Sequence, residues 1–164
     1  MTQQMTFGRL KFNLLTLTAA VVAAIAATTS AGLGWPVWAM FVGWIAFFTG
    51  GHSAKAAIAS YLCVAIGIAL GVVAAIGVGT LMPMIDYLAF GAVVFVVAMI
   101  VVSLRAAPLL NNIPAYFLGL IAFFASHLPL GLPAFAELAA VSALGSFAAW
   151  IARGLQSRLA HRKS

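Results

Sequence analysis

Two stretches of nearly repeated sequence each close on a histidine: "GWIAFFTGGH" ends at His52 and "GLIAFFASH" at His127. An imidazole placed there offers a hydrogen bond to a passing solute, or a charge that changes near neutral pH. The plainer use is an interfacial side chain with water or backbone as its partner. A metal site is not expected, because no acid or cysteine lies near either histidine and two lone ligands do not complete a coordination shell. Asn112, in "NNIP", reads first as the cap of a helix opening at Pro114. Its amide also suits a donor and acceptor at the mouth of a solute path. Thr49 and Ser126 sit beside the two breaks, where they line the same path or bond backward to helix carbonyls.

Other chemistries lack their parts. The sequence has no phosphate-binding glycine loop, no nucleophile elbow and no paired carboxylates, so no enzyme activity and no cofactor are expected. Cys63 stands alone in an apolar run and reads as a small packing residue.

The elements that must position these residues are membrane spans. Of 164 residues, 65% are hydrophobic and 6% charged, whereas soluble domains are nearer half apolar and a quarter charged. The apolar residues come in long blocks, which we read as spans over residues 13–32, 36–50, 56–79, 86–104, 113–127 and 134–152. The first block follows Arg9 and Lys11 as a signal peptide would, but its removal would leave five spans, so we expect it to be kept. With the N-terminus inside, all eight Lys and Arg fall on the cytoplasmic side, and Asp86 and Glu137 on the other. This sorting explains the sequence pI of about 10.3 without nucleic acid as a partner. The expectation is an all-α polytopic membrane protein with both termini cytoplasmic.

The spans also repeat. Ala39–Phe48 ("AMFVGWIAFF") matches Ala115–Phe124 ("AYFLGLIAFF") at seven of ten positions, and "ALGVVAA" at 69–75 is echoed by "ALGSFAA" at 143–149. We therefore divide the chain into a three-helix repeat over 1–82, a second over 83–155 and a basic tail over 156–164. Three spans per repeat is an odd number, so the second copy starts from the opposite face and the repeat is inverted. Spans two and five are short, bounded by Pro36 and Gly50-Gly51 and by Pro114 and Pro129. Short, interrupted segments at matching places in two halves point to a solute site.

At ~100° per residue, Trp38, Phe41, Trp44 and Phe48 share one stripe, with Phe117 and Phe124 on its counterpart. One reading makes these rings a constriction between two antiparallel helices; the other has them pack the bundle or face lipid. Phe47 and Phe123 point the other way and read as packing residues. The small residues Gly67 and Gly71 allow close helix approach within or between subunits.

With "GWPVWAMFVGWIAFFTGG", the Asn-Asn-Ile-Pro turn and "YFLGLIAFFAS" in view, the chain resembles the YcdZ-like bacterial inner-membrane proteins, the domain of unknown function 1097 family. That resemblance implies a six-span protein of the bacterial inner membrane and brings no catalytic residues. The layout of two inverted three-helix halves is similar to that of urea and amide channels, which form rings of subunits. The resulting expectation is a homo-oligomeric channel for a small neutral solute such as urea or a short amide, with a pore inside each subunit. It is lined by Trp38, Phe41, Trp44, Phe48, Phe117 and Phe124, with His52, His127 and Asn112 at the mouths. The alternatives are a secondary transporter of a small metabolite and a structural or accessory membrane protein with no path.

Overall fold

A computed structural model of the chain describes residues 2–51 and 53–161, with side-chain surroundings from Arg9 onward. The described residues are all-α, with six α-helices: α1 (Thr2–Gly32), α2 (Val37–Gly50), α3 (Ala54–Ile85), α4 (Leu88–Ser103), α5 (Ile113–Ser126) and α6 (Leu132–His161). A single 3₁₀ turn, Leu104–Ala106, follows α4.

α3 passes its expected end at residue 79 through the still apolar Leu81-Met82-Pro83-Met84 to Ile85. Two other helices outrun their apolar stretches: α1 begins well before residue 13, and α6 continues to His161. Apolarity marks only what lies in hydrocarbon, whereas backbone hydrogen bonding carries a helix onward into water until a breaker ends it. Pro83 has no N–H to give the carbonyl of Gly79, so the helix weakens just before its end, and Asp86 at positive φ closes it, donating its N–H to Met82 O at 2.9 Å.

Among the described residues, four segments are long and apolar enough to cross a bilayer: Arg9–Gly32, Ala54–Ile85, Leu88–Ala106 and Leu132–His161. The other two helices, α2 and α5, have 14 residues each, or about 21 Å of axis against ~30 Å of hydrocarbon. The long helices form a row in the order α1, α6, α3, α4, and the short ones lie side by side upon it, α2 chiefly on α6 and α5 chiefly on α3.

Small residues set this packing. A Cβ built on Gly43 or Gly145 would overlap the facing backbone of Ser142 or Met40, and one on Gly67 or Gly119 would overlap that of Tyr116 or Val64. Backbones this close gain dispersion contacts along their whole length, which is how helices associate where no hydrophobic effect separates protein from solvent. Hydroxyls add short bonds across the seam: Ser146 donates to Gly43 O at 2.9 Å and Tyr61 to Ala139 O at 3.2 Å.

Candidate functional site

The rings singled out in the sequence lie on the outer surface of the two short helices. Phe48 and Phe124 are 45% and 49% exposed, while their neighbours Phe47 and Phe123 are 0% and 5%. Trp38, Phe41 and Phe117 share the exposed face. Trp44 is half-buried against the core, its ring 6.3 Å from that of Phe48. The buried face of α2 is Ala39, Met40, Val42, Gly43, Ala46 and Phe47, and that of α5 is Ala115, Tyr116, Gly119, Leu120, Ala122 and Phe123.

This corrects the expected geometry of a constriction inside one chain. The two aromatic stripes do not face each other across an interior gap. Phe48 lies against Phe47 and Trp44, and Phe124 against Phe123. Phe117 and Phe124 border an apolar groove of about 210 Å³ with Ala74, Phe90 and Val94 of α3 and α4. The space between the layers is filled by Phe47, Tyr116, Met40, Ile68 and Leu138, each fully buried. The physical reason is that each short helix turns the side bearing Gly43 or Gly119 inward to reach a neighbouring backbone, which carries Phe47, Tyr116 and Phe123 in with it and leaves the rings on the opposite side, Phe41, Phe48, Phe117 and Phe124, outside.

Of the polar candidates, Asn112 and Thr49 meet at one end. Asn112 caps α5 by accepting from Ala115 N–H at 3.4 Å, and its amide nitrogen donates to Thr49 Oγ1 and to Ser60 Oγ, both at 2.9 Å. One side chain thus joins the end of α2, the first turns of α3 and the start of α5. Thr49 in turn donates to Ala46 O at 2.8 Å. Gly50 gives the node its room, since a Cβ there would overlap Ser60 Oγ. Beside it lies a cavity of about 270 Å³ whose walls include Ser53, Lys55, Ser60, Asn111 and Asn112.

His127 is not part of this node. It is exposed and occupies the residue after α5 at φ 53°, with Nδ1 3.1 Å from Ala125 O. Its counterpart after α2 is Gly51, also at positive φ. His127 therefore stands where a left-handed residue ends a helix. His52 lies outside the described residues. Near the same end as His127, Ser126 donates back to Phe123 O at 2.7 Å and accepts from Leu128 N–H at 3.2 Å.

Sequence reasoning missed Ser60, Ser142 and Ser146, all buried and hydrogen-bonded across helices. The available signal was the small-residue spacing Ser142, Gly145, Ser146, Ala149, which brings one narrow face of α6 against α2. Among the described residues no three of His, Cys, Asp and Glu cluster as metal ligands.

Residues 16–157 match the model of a protein family described as "Protein of unknown function (DUF1097)". No curated protein and no solved structure matches the chain.

Proposed function

The chain belongs to the DUF1097 family, and for it we propose an inner-membrane channel or facilitator for a small neutral solute. In this reading the aromatic faces of α2 and α5 line the passage together with a second copy, not across the middle of one chain. All six helices cross the membrane, α2 and α5 as short crossings, and both termini are cytoplasmic.

The two halves are read as an inverted repeat on the following grounds. α2 and α5 start and stop at equivalent positions, 37–50 and 113–126, and both end on a positive-φ residue. Gly43 and Met40 of α2 meet Ser142 and Gly145 of α6, as Gly119 and Tyr116 of α5 meet Val64 and Gly67 of α3. These contacts equate Gly67 with Gly145, one helical turn away from the alignment suggested by the echoed "ALG" motifs. The end of α2 meets the start of α5 at Asn112, which supports opposite directions for the two. For orientation, Lys11 bonds to Ala160 O at 3.0 Å, bringing the basic ends of α1 and α6 together.

The observation that carries the proposal is the exposed, ring-rich face of two adjacent 14-residue helices lying on one side of four long ones. Lipid against that face would meet about 21 Å of helix where ~30 Å is needed, leaving helix ends and the Asn112 node in hydrocarbon. A second copy over the face removes the mismatch and leaves wet vestibules at both short ends. The flat rings then exclude ions while passing a small uncharged molecule. In stopped-flow uptake by proteoliposomes, the wild type should raise the permeability of urea or acetamide, and Phe48→Ala/Phe124→Ala should change it severalfold. Equal permeability of loaded and empty vesicles for every small neutral solute would refute the channel. The filled interior around Phe47 and Tyr116 would then favour the second reading, a membrane assembly protein in which the same face closes dry.

A further inference from the structure

One face of α6 changes character along its length. Ala143, Ser146, Phe147 and Trp150 recur every three or four residues, and Arg153, Gly154, Ser157 and Arg158 continue the same face. The upper part borders an apolar groove of about 290 Å³ shared with Ile58 and Tyr61 of α3. The lower part borders a cavity of about 480 Å³ that holds both arginines. Trp150 belongs to both spaces and stacks on Phe147 with ring centroids 5.9 Å apart and planes at 28°. An apolar slot therefore runs directly into a cationic one, with an indole at the junction, where tryptophan marks the membrane–water boundary.

We propose that this stripe of α6 binds one anionic phospholipid. Its phosphate lies between Arg153 and Arg158, and one acyl chain runs along Phe147 and Ile58 in the groove between α3 and α6. From Arg158 to Ala143 is about 22 Å along the axis, enough for a headgroup and most of an extended chain.

Charge complementarity selects the occupant. The two acids of the chain are Asp86 and Glu137, and Glu137 stands about 24 Å up the same helix from Arg153. Lys11, the nearby cation of α1, is already engaged with Ala160 O. Among the described residues, then, nothing negative sits by the two arginines. A guanidinium matches phosphate through paired N–H donors. The groove supplies what a free anion does not use: a wall of Phe147, Trp150 and Ile58 at the depth of an acyl chain. This inference is independent of any solute path.

The test is lipid titration of the detergent-purified full chain, followed by native mass spectrometry or thermal shift, with phosphatidylglycerol and phosphatidylcholine of matched chains. The wild type should prefer phosphatidylglycerol. Each arginine should contribute about fivefold to the preference, so Arg153→Gln/Arg158→Gln should lower it about twenty-five-fold, with phosphatidylcholine, whose phosphate is offset by its own choline, losing far less than phosphatidylglycerol. Arg153→Lys/Arg158→Lys should restore much of it, and Arg105→Gln, a cation in another helix connection, should leave it intact. Phe147→Ala should weaken both lipids alike. Equal binding of the two lipids by the wild type would overturn the proposal. So would a preference that survives loss of both arginines, an equal loss in Arg105→Gln, or displacement of the lipid by millimolar inorganic phosphate, which would make the site one for free anions.

Discussion

Gly43 of α2 sits so close to Ser142 of α6 that a single added methyl group would overlap the Ser142 carbonyl. The obstacle is backbone, so no side-chain rotation relieves it, and the helices must part. Gly43→Ala should cost about 1–3 kcal/mol of stability in detergent, and Gly119→Ala a comparable amount at the α3–α5 contact. Gly91 of α4 has open space where its Cβ would go. Gly91→Ala should therefore be neutral or gain about 0.5–1 kcal/mol through helix propensity. Thermal unfolding of the three variants checks the contrast.

Asn112 has three hydrogen bonds to lose, and two substitutions separate them. Asn112→Ala removes the helix cap, about 1 kcal/mol, and two interhelical bonds of about 0.6 kcal/mol each in a membrane setting. A total near 2 kcal/mol is expected. Asn112→Asp keeps an acceptor for Ala115 N–H but removes the donors to Thr49 and Ser60, so it should fall between wild type and Asn112→Ala. Thermal unfolding in detergent measures both.

His127 tests whether position in a repeat implies a role in transport. Its backbone is held at φ 53°, which glycine adopts without a Cβ penalty. His127→Gly should hold or slightly raise thermal stability, by up to about 1 kcal/mol. If the side chain serves the backbone alone, solute permeability in proteoliposomes will match the wild type.

Topology gives a further prediction. Reporter fusions after Arg105 and after His161 should report the cytoplasm, and a fusion at Asp86 the opposite side. An inserted-cysteine labelling series from both sides of intact vesicles measures this. A cytoplasmic Asp86 would contradict the sorting of charges that orients the six helices.

Much of this architecture was legible in the sequence because glycine and proline punctuate it. Pro36 and Gly50-Gly51 bound α2, and Asn112-Ile113-Pro114 opens α5, so their shortness was readable without coordinates. Which way each short helix faces was not. In a soluble protein Phe41 and Phe48 would go inside by apolarity, but lipid is as apolar as they are, so apolarity does not decide. The deciding residues were Gly43 and Gly119, through backbone proximity that appears only once a partner helix is known. The helix extensions to Thr2 and His161 were hidden for a related reason: hydropathy ends where hydrocarbon ends, and the helix does not.

A passage along α2 and α5 requires their outer faces to meet water within the membrane, and cysteine reactivity measures that directly. With Cys63 replaced by Ala, single cysteines are placed at Phe48, Phe124 and Phe47, and each variant in membranes is treated with iodoacetamide, a small neutral amide that alkylates thiolate. A thiol in hydrocarbon stays protonated and inert, whereas one in a wet passage ionises and reacts. Alkylation is expected at positions 48 and 124 and none at buried position 47. Positions 48 and 124 as inert as 47 would place both ring faces in lipid or a dry interface and contradict the proposed passage.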